Sequence, residues 1–262
     1  MTQICKLLLS LVLIVSLVSC NVGNGPLPKY TGKVNSAETD SPVTEEGASS
    51  VTDTPDEGDL SIKSESSGTI LDYFAAVAFD SEFGESSRRV TRWESEIVYS
   101  VTGSPTEKDL ELIGILVERL NTIEGFPGIR EAGDENEVNF EIMFIPRTEI
   151  MESFEHATDA CKGMSEFHWY TDDYVIYRAR AAIDCDEVQE RESTICEEIL
   201  QSLGIAMDSF LHKDSVFYQG TCVYKRPSEL DWTIVQLLYH PKMQTGMTKT
   251  DAICTAASIL KW

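Results

Sequence analysis

A sharp change of composition near residue 68 fixes where this chain can fold. Residues 21 to about 68 are dominated by Ser, Thr, Glu, Asp, Gly and Pro, lack Phe and Trp, and set nine acidic side chains against three lysines. So little apolar surface cannot offset the entropy lost on ordering. The segment is expected to be an acidic, disordered tether with an r.m.s. span of roughly 40 Å. Globular structure is thereby confined to about 69–262, a length that suits one domain with a sizeable core.

The first residues read as an export signal. Lys6 supplies a positive start, Leu7 to Val18 an apolar run, and Leu17-Val18-Ser19-Cys20 a bacterial lipobox. The run is short for a membrane-spanning helix. Residues 1–19 are expected to be a lipoprotein signal peptide. Residues 20–68 would then be the mature N-terminus, with Cys20 acylated and contacting the membrane through its lipid. The expected location is the bacterial cell envelope, the outer membrane rather than the inner, since Asn21 is not the Asp that often retains such proteins. The formal net charge of −23 argues against nucleic acid or anionic lipid as a partner of the general surface.

Cys161, Cys185, Cys196, Cys222 and Cys254 remain in this oxidising setting. Five is odd, so a monomer holds at most two disulfides and one thiol, and the spacing does not choose among the pairings. A bond from Cys196 to an upstream Cys would staple its helix to the preceding strands. The spacings match no zinc ribbon.

Periodicity outlines the domain. Thr69–Phe79 has helical spacing through Ile70, Leu71, Phe74, Val77 and Ala78. Val90–Val101 reads as one strand around Trp93. Thr106 caps an amphipathic helix whose apolar face is Leu110, Ile113, Leu116, Val117 and Leu120. Val138–Ile145 alternates as a strand, Glu149–His156 suits a short helix, and 174–184 is another strand. A helix over about Glu190–Leu203 ends at Gly204. Two more follow, at Glu229–Tyr239 and Lys249–Leu260. The aromatic run Phe167-His168-Trp169-Tyr170 reads as core before a strand. The order predicts an α+β domain.

Chemistry concentrates on the helix before Gly204. Glu197 and Gln201 stand at i and i+4, Glu198 lies beside the first, and Met207 and Asp208 follow the turn. Ile195, Ile199 and Leu203 form the core stripe of the same helix, so the polar positions also suit a solvated face. Carboxylate and amide oxygens favour a hard divalent cation over zinc. Adjacent helical residues diverge by about 100°, so Glu197 and Glu198 are not expected to face one substrate atom. Glu198 alone would serve as a general base if burial raised its pKa. His156, His168, His212 and His240 are scattered, and Cys222 lacks a recognisable His partner. Gly-x-Ser-x-Gly, Walker A and Gly-x-Gly-x-x-Gly segments are absent from the sequence.

The stretch from Glu197 to Asp208 resembles the metzincin signature His-Glu-x-x-His-x-x-Gly-x-x-His with its three His positions replaced by Glu197, Gln201 and Met207. Ser215-Val216-Phe217-Tyr218 lies where those enzymes have a Met turn, with Phe217 in place of the Met. Ser228–Tyr239 resembles their terminal helix. More closely, Glu197-Glu198-Ile199-Leu200-Gln201-Ser202-Leu203-Gly204, Asp208, Ser215-Val216-Phe217, Leu238-Tyr239 and Gly246-Met247-Thr248 resemble a bacterial envelope family, the domain-of-unknown-function family 2927. The chain departs from that family at Met207, where Asn is more usual.

The resemblance covers about 69–262. It implies a zincin-like domain with a twisted mixed sheet, a backing helix, an active-site-like helix and a smaller irregular C-terminal part. Zinc is not expected, because none of the imidazole positions survives. The expected role is non-catalytic, binding a peptide or envelope-protein partner or acting as a scaffold. The alternative is a hydrolase with Glu198 as general base and a non-zinc metal or none.

Overall fold

The computed structural model describes residues 10–15, 67–79, 89–134, 137–220 and 224–261. The expected tether up to residue 66, the expected acylation position Cys20, and Cys222 lie outside the described residues. Ser10–Val15, inside the stretch read as an export signal, is strand β1; the rest of that stretch is likewise outside them.

Helix α1 spans Ser67–Phe79, followed by β2 (Arg92–Trp93), β3 (Ile97–Gly103), α2 (Glu107–Leu120) and β4 (Ile129–Glu131). Then come β5 (Phe140–Ile145), α3 (Arg147–Ser153), β6 (Gly163–Tyr170), β7 (Val175–Asp184) and α4 (Arg191–Gln201). Helices α5 (Glu229–Tyr239) and α6 (Lys249–Ile259) complete the order. The strands form one mixed sheet in the order β1-β6-β7-β5-β3-β4, and β2 also pairs with β7. Strands β3, β4, β5 and β7 run parallel, while β6 is antiparallel to both β7 and β1. Parallel neighbours need long crossovers. Helix α2 lies in the connection from β3 to β5, and α3 in the connection from β5 to β7. The domain is therefore mixed α/β, with helices between its strands, and that interleaving replaces the α+β expectation.

The sheet is covered on both faces. Phe140, Ile142 and Phe144 of β5, with Ala179, Ala181 and Ile183 of β7, join the main core under α1, α2, α4, α5 and α6. Ala182 points the other way and packs with Met164, Ile150, Phe154 and Cys161 around α3. Double coverage explains why β6 was not resolved as a strand in the sequence. Burial runs almost unbroken from Gly163 to Phe167, without the alternation of a half-exposed strand.

Three expectations need correction. The run Val90–Val101 is two strands, because Glu94, Ser95 and Glu96 are exposed and the chain there leaves β7 to join β4 and β5. The buried stripe of α2 is Asp109, Leu112, Ile113, Leu116 and Leu120; Leu110 lies on the flank, 47% exposed. The short helix begins at Arg147, directly after Pro146, and ends at Ser153 before reaching His156. Among the described residues no helix is long and apolar enough to cross a membrane.

Candidate functional site

Helix α4 is anchored at both ends before any of its polar side chains matter. At its start, Arg191 donates to Asp109 through Nε (3.0 Å to Oδ1) and Nη2 (2.7 Å to Oδ2), and through Nη1 to the Cys185 carbonyl at 2.7 Å. Its guanidinium lies 5.0 Å from the Phe144 ring centre. Asp109 is also the N3 residue of the Thr106 capping box of α2, so one carboxylate joins the N-termini of two helices. Burial opposes ionisation of Asp109, but hydrogen bonds from Arg191 and Thr106 outweigh it and hold its pKa below the usual value.

At the far end of α4, orphan carbonyls are met by side chains. The Trp93 indole donates to Ser202 O at 3.0 Å, and the Tyr239 hydroxyl donates to Leu203 O at 2.9 Å. Gly204 turns the chain at φ +110°, and an added Cβ would lie 2.1 Å from the Thr91 carbonyl oxygen. Only glycine fits both demands. Tyr239 thus has a structural reason for closing its helix: it caps the C-terminus of α4.

The following loop is pinned by Asp231. This residue accepts from Ser228 N (2.8 Å) in the capping box of α5, from Val216 N (3.2 Å) and from Ser215 Oγ (2.6 Å). The Tyr73 hydroxyl bonds to Ser215 Oγ as well. Burial raises the pKa of both Tyr73 and Asp231. Phe217 is fully buried in the turn these bonds hold.

Between the start of β6, the outer face of α4 and this loop lies a cavity of about 30 Å³. Glu197, Glu198 and Asp208 line it together with Lys162, Gly163, Glu190 and Tyr218. The two adjacent glutamates both border this cavity. Glu197 is half-buried and Glu198 is 2% exposed, so they contribute different parts of the wall. Gly163 makes room for this arrangement, since a Cβ there would lie 2.5 Å from Glu198 Oε1 and 2.5 Å from Thr194 Cγ2.

Glu198 is the unusual group. Burial pushes its pKa well above the ordinary glutamate value; Ser165 bonds to it and lowers the pKa in part, and the nearby Asp208 raises it further. Its Oε2 is buried and has no hydrogen-bond partner. Behind it, Gln201 is fully buried and committed on both sides. Its Oε1 accepts from Ser165 Oγ at 3.2 Å, and its Nε2 donates to Asp208 Oδ1 at 2.9 Å.

These residues do not fit zinc. Of the three positions that align with the metzincin histidines in the sequence resemblance, Gln201 is tied into internal bonds, Met207 does not line the cavity, and Glu197 alone borders it. Among the described residues, three potential ligand atoms gather within 4.8 Å only at Asp184, Cys185 and Asp186. There Arg147 Nε holds Asp184 at 2.9 Å and the Asp186 N–H donates back to Asp184, which accounts for that cluster as a loop anchor.

No local pattern marks Ser165, Lys162 or Gly163, Tyr218 enters the sequence reading only as part of the Phe217 turn, and folding places all four at this site. No disulfide joins Cys161, Cys185, Cys196 and Cys254 to one another among the described residues. The Cys196 thiol instead approaches the Lys225 carbonyl at 3.7 Å.

No curated protein and no solved structure matches the chain. Residues 67–256 match the family described as Protein of unknown function (DUF2927), and the chain belongs to that family.

Proposed function

We propose that this member of the family is a bacterial envelope lipoprotein whose zincin-like domain binds a peptide or protein partner at the cavity beside α4, without zinc catalysis. Support for the zincin-like part comes from the parallel strands bordered by antiparallel β6 and from the Gly204 turn. The buried Phe217 turn and the Ser228–Tyr239 helix follow in the corresponding order. Support for the anchor comes from the lipobox ending at Cys20. One observation carries the non-catalytic reading: Gln201, at the centre of the former ligand pattern, is spent on Ser165 and Asp208. A ligand position has become a brace.

A photo-crosslinking amino acid placed at Tyr218, beside the cavity, tests the binding role in the intact envelope. A discrete adduct from position 218, absent when the same group replaces exposed Leu110, is the expected result. Equal patterns from both positions would remove the binding site from this face. Metabolic labelling with a fatty acid, lost in Cys20→Ser, tests the anchor.

A second reading, hydrolysis with Glu198 as general base, is favoured by one feature: a buried carboxyl of raised pKa with an unpartnered oxygen at a cavity. It predicts peptidase or esterase turnover that Glu198→Gln abolishes. Turnover unchanged in that variant would remove Glu198 from the chemistry.

A further inference from the structure

Phe210 and Leu211 are neighbours in the chain and are 67% and 57% exposed. Among the described residues, the other exposed large apolar side chains, Leu110, Ile115, Met151, Val188 and Tyr224, stand apart in the sequence. Single exposed hydrophobics are ordinary, whereas a pair displayed together marks a contact. The display is imposed by the loop that carries it. Ser209 N donates to the Phe217 carbonyl at 2.9 Å and Gln219 N to the Ser209 carbonyl at 3.2 Å, which closes the base of the loop. The Leu211 N–H is tied to Ser209 Oγ at 3.2 Å. Ser215, Val216 and Phe217 are buried, and Asp231 holds that inner side. The Phe210 ring meets Tyr218 edge-on at 6.1 Å, and most of its surface is left bare.

The course of this loop indicates what covers the pair. Met207 N donates to the Val77 carbonyl at 3.1 Å, and further along the chain the His212 ring meets Tyr73 edge-on at 4.6 Å. The segment bearing Phe210 and Leu211 therefore runs back along α1 toward the helix start at Ser67, about 9 Å along the axis from Tyr73. That end of α1 is where the expected tether from Cys20 joins the domain. Two side chains cover far less than the roughly 800 Å² a side that a stable protein interface buries. At a bilayer they suffice, because the tether already holds the domain at high effective concentration near the surface. Asp208 and Asp214 outnumber Lys213 in the loop, and the chain carries a net charge of −23, so the attraction is apolar and suits zwitterionic lipid.

We infer that Phe210 and Leu211 insert into the interface of a zwitterionic bilayer and seat the anchored domain on its membrane. The inference rests on the reading of Cys20 as a lipid anchor and adds a second point of contact.

Full-length acylated protein in phosphatidylcholine vesicles tests it, with a fluorescent amino acid at position 211 and, in a second preparation, at exposed position 110. Lipids spin-labelled near the headgroup end of the acyl chain should quench the probe at 211 at least about threefold more than the probe at 110, since interfacial side chains reach ~5–10 Å into that boundary. Phe210→Asp should bring the 211 probe down to the level of 110 and leave the urea unfolding midpoint unchanged, because the side chain it replaces is exposed. Phosphatidylglycerol vesicles should quench less. Equal quenching at 211 and 110, in protein shown to carry fatty acid on Cys20, would overturn the inference and leave the anchor standing. So would stronger quenching in phosphatidylglycerol, or quenching that survives Phe210→Asp. Protein whose Cys20 carries no fatty acid would remove the anchor and the membrane seat together.

Discussion

Two buried carboxyls, Asp231 and Glu198, sit in neighbouring parts of this domain and are treated in opposite ways. Asp231 is fully buried, and both of its oxygens are engaged, Oδ1 by Ser215 and Oδ2 by Ser228 and Val216. Glu198 is almost as buried, yet its Oε2 has no partner and the residue borders a cavity. Both have raised pKa values, led in each case by burial. Burial alone therefore does not distinguish architecture from function. The state of the hydrogen-bond account separates the two: the satisfied carboxyl organises a turn, and the unsatisfied one carries an uncompensated cost of burial.

Substitutions can break that contrast. Asp231→Ala should have the largest effect. It removes the N3 half of the α5 capping box and strands the donors of Ser215, Val216 and Ser228, so a loss of about 3 kcal/mol or more is expected in urea unfolding. A loss under about 1 kcal/mol would show that the turn does not depend on this carboxyl. Gly163→Ala should cost about 2 kcal/mol, because the new Cβ drives into Glu198 and Thr194 where α4 meets β6. An unchanged melting temperature would mean that the helix and strand are not held so closely.

Glu198→Gln should behave in the opposite sense, and its effect depends on pH. The folded-state pKa of Glu198 is raised, so its contribution to stability is complete below the ordinary value of 4.5 and is lost as pH rises through the folded value. The variant has no charge to bury. It should match the parent near pH 4.5 and exceed it by about 1 kcal/mol at pH 8. Asp231 titrates in both proteins and cancels from the difference. A difference that is constant with pH would place the ionisation elsewhere. The smallest effect belongs to Glu197→Gln, which should alter stability by less than about 0.5 kcal/mol. A larger loss would make Glu197 a structural member of the wall.

The parts of this design that were legible in the sequence are local. The end of α4 at Gly204 and the span of α5 are written within a few residues. The role of Tyr239 was visible only as a helix ending, because its partner, the Leu203 carbonyl, lies 36 residues away. The same holds for Ser165 against Gln201, and for the Tyr73 hydroxyl against Ser215, 142 residues apart. Strand β6 escaped because double coverage erases the alternation that marks a strand. The cavity itself is not legible, because the wall opposite Glu197 and Glu198 includes Asp208, Tyr218 and Gly220 of a loop that helix periodicity does not report.

The account rests on Glu198 being a buried, unsatisfied carboxyl at the cavity. Carbon-13 NMR of side-chain-labelled glutamate, with the signal assigned by its loss in Glu198→Gln, reads the protonation of this one group directly. The account predicts that it titrates well above 4.5 and is the most elevated glutamate in the domain. Titration at or below 4.5 would show a solvated or paired carboxylate and contradict it.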